Sequence, residues 1–64
     1  DATGLTKADR QELQRRLTAA GFDTEGTDGV IGARTRAAIE AYQRRAGLPV
    51  TGEPSRDLLL RLGG

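Results

Sequence analysis

Fourteen apolar side chains larger than alanine are all that this chain of 64 residues has for a core: eight Leu, two Ile, two Val, Phe22 and Tyr42. That stock suits one small domain of packed helices and is too small to wall a deep cleft. The other apolar residues are nine Ala. There is no Cys, His, Met or Trp, so disulfide staples, zinc sites and Ser-His or Cys-His chemistry are excluded from the start, and no cofactor is expected. A domain of this size with neither staple nor metal depends on efficient helix packing, because burial and ordering entropy nearly cancel. No apolar run approaches the roughly 20 residues that span a bilayer, and none has the pattern of a signal peptide.

Three helices are legible. Thr6 and Asp9 have the spacing of a capping box, and Ala8, Leu13, Leu17 and Ala20 then recur at helical spacing, which predicts a helix over 7–20. Gly21 supplies a left-handed stop, over which Phe22 folds back. Residues 23–32 hold three Gly, two Thr and two Asp. They predict a long structured loop in which Asp28-Gly29 makes a tight turn and Val30 and Ile31 need burial. A second helix is expected over 33–46, with Thr35, Ala38, Ile39, Tyr42 and Ala46 along its inner stripe, and Gly47-Leu48 repeats the glycine stop. Pro49 to Gly52 reads as an extended link. Pro54 fits the first turn of a third helix that carries Leu58, Leu59 and Leu62 inward and Leu60 elsewhere. The fold class is therefore all-α: a small three-helix bundle with a long structured loop between helices one and two. The expected organisation is a linker remnant over 1–4, the module over 5–62 and a frayed end at 63–64.

Nine Arg and one Lys face nine acids, for a net charge of +1. Glu12 with Arg16, Glu40 with Arg44, and Asp57 with Arg61 place the acid four residues before the base, the favoured helical orientation, and Arg36 is within reach of Glu40. Arg34, Arg45 and Arg56 have no such partner and stay available.

Other chemistries fit poorly. Asp23, Glu25 and Asp28 invite a calcium loop, but an EF-hand starting at Asp23 needs Gly at its sixth position and Glu at its twelfth. Asp28 and Arg34 stand there, and no metal site is expected. Glycoside hydrolysis needs two acids across a walled cleft, which a bundle of this size does not supply. A DNA-binding helix-turn-helix joins its helices by about 3–4 residues and is visibly basic; the loop from Gly21 to Gly32 and the near-neutral charge argue against it, and no nucleic-acid partner is expected.

Leu13-Gln14, Leu17, Gly21-Phe22, Asp28-Gly29-Val30-Ile31-Gly32, Thr35, Ala38-Ile39, Tyr42-Gln43, Gly47-Leu48 and Leu59-Leu62 form an ordered string. This string resembles the peptidoglycan-binding domain-like family, three-helix modules attached to bacterial cell-wall enzymes, and the resemblance runs from about Leu5 to Leu62. Thr6 to Arg10 and the run Pro49 to Pro54 look like the C-terminal module of proteobacterial lytic murein transglycosylases. Two positions depart from the pattern: Tyr42 stands where Phe is commoner, and Glu53-Pro54-Ser55 replaces a second Gly-x-x-Thr turn.

The resemblance implies a non-catalytic module that tethers a cell-wall-degrading enzyme to murein in the bacterial cell envelope, periplasmic or wall-associated. Its expected partners are a glycan strand or stem peptide and the catalytic domain of its parent, with the module itself a monomer. Murein offers sugar hydroxyls, acetamides and stem carboxylates, which call for Arg, amide side chains and exposed backbone N–H groups. Arg34, Gln43, Tyr42, Asp28, Gly29 and Thr35 are the candidate ligand-binding residues. Each also has a structural explanation: a turn for Asp28 and Gly29, a first-turn hydrogen bond for Thr35, a core place for Tyr42, and a loop carbonyl for Gln14 or Gln43. An alternative from another class is a regulatory module packed on its parent's catalytic domain, with Leu60 and the spare Arg residues as interface.

Overall fold

A computed structural model describes residues 4–63. Its order is α1 (Lys7–Ala19), α2 (Ala33–Ala46) and α3 (Arg56–Gly63), so the all-α bundle with a long first loop is what forms. Asp1 to Thr3 of the expected linker and Gly64 of the expected frayed end lie outside the described residues, while Gly63 is the last residue of α3.

α1 begins with the expected capping box. The Asp9 N–H donates to the Thr6 hydroxyl and the Thr6 N–H to the Asp9 carboxylate, both at 3.1 Å. These bonds satisfy donors that have no partner inside the helix. α1 and α2 end alike. The Phe22 N–H donates to Leu17 O at 2.8 Å and the Leu48 N–H to Gln43 O at 2.9 Å, the long bond of a Schellman stop with glycine in the left-handed place. α3 departs from expectation at its start. The Ser55 hydroxyl caps it by accepting from Leu58 N–H at 3.0 Å, so Pro54 stands before the helix and is buried there.

The core is Leu13, Leu17, Ala38, Ile39, Leu58 and Leu59, with Phe22, Tyr42 and Leu62 packed on it. The rings of Phe22 and Tyr42 meet edge to face, centroids 5.8 Å apart, a favoured geometry for aromatic pairs. α1 is central: it packs against both α2 and α3, and Arg16 donates to Leu59 O of α3 at 2.9 Å. The inner stripes are narrower than predicted, because Ala8, Ala20 and Ala46 are exposed. An alanine methyl adds little burial, and the larger Phe22, Tyr42 and Leu62 pack on the core instead. Val30 is a second correction. It is 64% exposed, because its N–H is held by Asp28 and its carbonyl turns inward to Gln14, which leaves the side chain facing out.

Candidate functional site

Two buried glutamines organise the loops around α2. Gln14, on the inner face of α1 and 1% exposed, reaches into the first loop. Its amide oxygen accepts from Gly29 N–H at 2.8 Å, and its amide nitrogen donates to Val30 O at 3.0 Å and to the Thr35 hydroxyl at 3.1 Å, with the Asp28 carboxylate at 3.4 Å. Gln43, on α2 and 7% exposed, does the same for the second loop. Its oxygen accepts from Thr51 N–H at 2.9 Å and Gly52 N–H at 3.0 Å, and its nitrogen donates to the Thr51 hydroxyl at 3.1 Å. Every buried side-chain nitrogen and oxygen among the described residues has a partner, which is what a low-dielectric interior demands.

Two open hollows of nearly equal size flank these brackets. The first, about 270 Å³, is lined by Gln14, Thr24, Glu25, Gly26, Asp28, Val30, Gly32, Ala33, Arg34 and Thr35. The second, about 260 Å³, is lined by Gln43, Leu48, Pro49, Thr51, Ser55, Asp57, Leu58 and Arg61. The candidate residues are therefore divided. Asp28, Arg34 and Thr35 share the first hollow, Gln43 lines the second, and Tyr42 lines neither.

In the first hollow the floor is already engaged. Thr35 is buried and accepts from Gln14. Thr24 is buried and donates to Gly26 O at 2.7 Å. Gly29 has no free backbone group to offer: its N–H is on Gln14 and its carbonyl accepts from Arg10 Nε at 2.7 Å. Gly29 also has φ of +81°, and a Cβ there would come 2.8 Å from the Lys7 side chain, so both backbone conformation and space require glycine. Asp28 accepts from Val30 N–H at 2.9 Å. That bond, with Gln14 and the Lys7 charge, holds its carboxyl below the ordinary 3.8 by stabilising the ionised form.

Glu25, Asp28 and Arg34 are the charged groups of this hollow that reach solvent, beside the exposed Val30. Arg34, expected to lack a partner, pairs with Glu25 at 3.1 Å, and their side chains are 63% and 56% exposed. Arg56, expected free as well, meets Asp9 at 3.5 Å, and Arg36 turns to Glu53 at 2.9 Å rather than to Glu40. Glu12 with Arg16 and Asp57 with Arg61 pair as the spacing predicts. The Glu25–Arg34 pair joins a loop to a helix, so no helical spacing rule reveals it. Glu25 and Thr24 are accordingly the hollow residues that sequence patterns miss. Among the described residues no group of acids is arranged to hold a metal ion, and no helix is long and apolar enough to cross a membrane.

No curated protein matches the chain. The crystal structure of SltB3 from Pseudomonas aeruginosa in complex with NAG-anhNAM-pentapeptide superposes with a TM-score of 0.91 at 48% identity, covering 94% of this chain and 16% of that one. SltB3 in complex with NAG-NAM-pentapeptide gives 0.88 at 50% identity, covering 91% and 16%. The chain thus corresponds to a small part of SltB3. A family model described as a putative peptidoglycan binding domain matches residues 6–62, which is nearly the whole three-helix unit, and the chain belongs to that family.

Proposed function

We propose that this chain is a non-catalytic module that holds a cell-wall-degrading enzyme, such as a lytic murein transglycosylase, on its insoluble substrate in the cell envelope. The contact is the first hollow, where Arg34 meets a charged end of a stem peptide. The observation that carries this reading is the position of Arg34: a guanidinium open to solvent above a floor whose other polar groups are committed to the fold. Arginine matches a carboxylate with paired N–H donors. The muropeptide-like ligands named for SltB3 support the ligand class. Asp28 and Thr35 shape the hollow, Gly29 turns the loop without lining it, and Gln43 and Tyr42 hold the second loop and the core.

A hollow this shallow binds one unit weakly, on the order of millimolar or about −4 kcal/mol. A tether turns weak binding into high effective concentration at a lattice, which is how such a module serves its parent. The module acts as a monomer in the periplasm or at the wall. Retention of the chain on purified sacculi tests the reading. Wild type is retained and eluted by soluble muropeptides, and Arg34→Ala is released at least several-fold more easily. Equal retention of both removes Arg34 from the site, and no retention of either overturns the reading. A second reading, docking on the parent's catalytic domain, is favoured by Leu60, 66% exposed on α3. It predicts no retention on sacculi and weaker capture of that domain by Leu60→Ser.

A further inference from the structure

The charged residues that line the first hollow are two acids and one base, Glu25, Asp28 and Arg34, and the Lys7 charge acts on Asp28 from outside the lining. This balance says more about the ligand than Arg34 does alone. A purely anionic ligand that took Arg34 would strip Glu25 of its partner at 3.1 Å and leave the anion beside two carboxylates. A purely cationic ligand that took Glu25 would strand Arg34. Like charges brought this close are unfavourable even near a protein surface. A group carrying both charges repairs both ends at once.

We propose that this hollow recognises a zwitterionic amino-acid end group, a free ammonium and a free carboxylate on one residue, that inserts into the Arg34–Glu25 pair. The carboxylate sits on Arg34, and the ammonium sits on Glu25 and Asp28. The proposal rests on the murein-binding reading and narrows it to stem peptides that carry a free amine and a free carboxylate on one residue, because acylating that amine removes its charge. Insertion is cheap, since an exposed ion pair contributes little to stability and both side chains are long enough to part. Asp28 accepts from Val30 N–H at 2.9 Å, which anchors its carboxylate as a second partner for the ammonium. The Thr35 hydroxyl of the floor does not compete, because it is 3% exposed and already accepts from Gln14.

The experiment titrates the ¹⁵N-labelled chain with three soluble disaccharide peptides: one with a free diamino end, the same peptide N-acetylated at that amine, and the same peptide with the adjoining carboxylate as an amide. The free form is expected to bind roughly tenfold more tightly than either capped form, as a charge-assisted hydrogen bond is lost in each. Glu25→Gln is expected to reduce the preference for free over acetylated amine at least several-fold, and Glu25→Gln combined with Asp28→Asn to abolish it. Glu53→Gln, which removes the same charge from a pair outside the hollow, keeps it. Equal binding of free and acetylated peptides overturns the proposal, as does tighter binding of the free peptide by Glu25→Gln. Shifts confined to the second hollow, around Leu48 and Leu58, overturn it too. Failure of all three peptides with sacculus retention intact overturns the proposal and leaves the murein-binding reading standing. Loss of retention by wild type overturns both.

Discussion

In the first loop Gln14 takes the Gly29 N–H at 2.8 Å, and in the second Gln43 takes the Gly52 N–H at 3.0 Å. Beside each glycine a short polar side chain caps the turn: Asp28 accepts from Val30 N–H, and Thr51 from Glu53 N–H at 3.2 Å. Both glycines are left-handed, with φ of +81° and +70°. The bracket is one device used twice. What differs is the residues it leaves free. The first loop surrounds its hollow with Glu25, Asp28 and Arg34, and the second with Leu48, Pro49 and Leu58 beside the Asp57–Arg61 pair. The brackets themselves are buried at Gln14 and Gln43, whereas Glu25 and Arg34 face solvent; Asp28 does both, capping the turn while exposed at the rim.

Breaking the brackets one at a time gives the largest effects. Gln14→Ala leaves the buried Gly29 N–H and Thr35 hydroxyl without their partner and is expected to cost about 3 kcal/mol, against about 2 for Gln43→Ala, whose loop is closer to solvent. Urea or thermal unfolding measures both. A domain of this size holds only about 3–5 kcal/mol, so Gln14→Ala is expected to retain at most about 2 kcal/mol and to show a measurable unfolded fraction near room temperature. Equal costs would remove the distinction between the loops.

The glycines give a smaller contrast. Alanine at either position is strained by the left-handed backbone, by about 1–2 kcal/mol. At Gly29 the new methyl also meets Lys7 Cγ at 2.8 Å and the Lys7 carbonyl at 3.2 Å, whereas at Gly52 it meets the movable end of Glu40 at 3.0 Å. Gly29→Ala is therefore expected to lower the melting temperature more than Gly52→Ala.

Acid separates the loops next. Asp28 is held below its ordinary range mainly by Val30 N–H, Asp9 mainly by Thr6 N–H, and Glu12 by Arg15 and Arg16. Each takes up a proton more readily when unfolded, so its contribution is complete above about pH 5 and is lost as pH falls through 4 and below. Thr51 carries no titrating group, so Asp28→Thr, which copies the second bracket into the first, is expected to make acid unfolding shallower. The smallest effects come from the exposed cations: Arg34→Ala and Arg61→Ala are each expected to change unfolding free energy by less than about 0.5 kcal/mol, and under the proposed function only Arg34→Ala is expected to loosen the chain on sacculi.

Local signals account for the parts of the fold that the sequence reveals. The capping box at Thr6 and Asp9, the two glycine stops and the spacing of Leu13, Leu17 and Ile39 are each written within a few residues, and helices form where they say. Gln14 and Gln43 look ambiguous in sequence because their partners lie 15 and 9 residues away along the chain. Pro54 misleads for a related reason: it has the right φ for a first turn, but the neighbouring Ser55 is the better cap. The candidate site was half legible. Arg34 and Asp28 lie where a ligand can meet them, but a contact such as that with Glu25 depends on how a loop folds back over α2, which no periodicity encodes.

The glutamine brackets also set the timescale on which the loops open. A surface loop ordinarily frays by itself, and its amides exchange with solvent in brief local openings. The Gly29 and Gly52 N–H groups instead close on side chains rooted in α1 and α2, and both bonds are buried. Their deuterium uptake then follows the opening of the helices, so two loop glycines are expected to be among the slowest-exchanging amides of the chain. The hollow keeps its shape for as long as the bundle does.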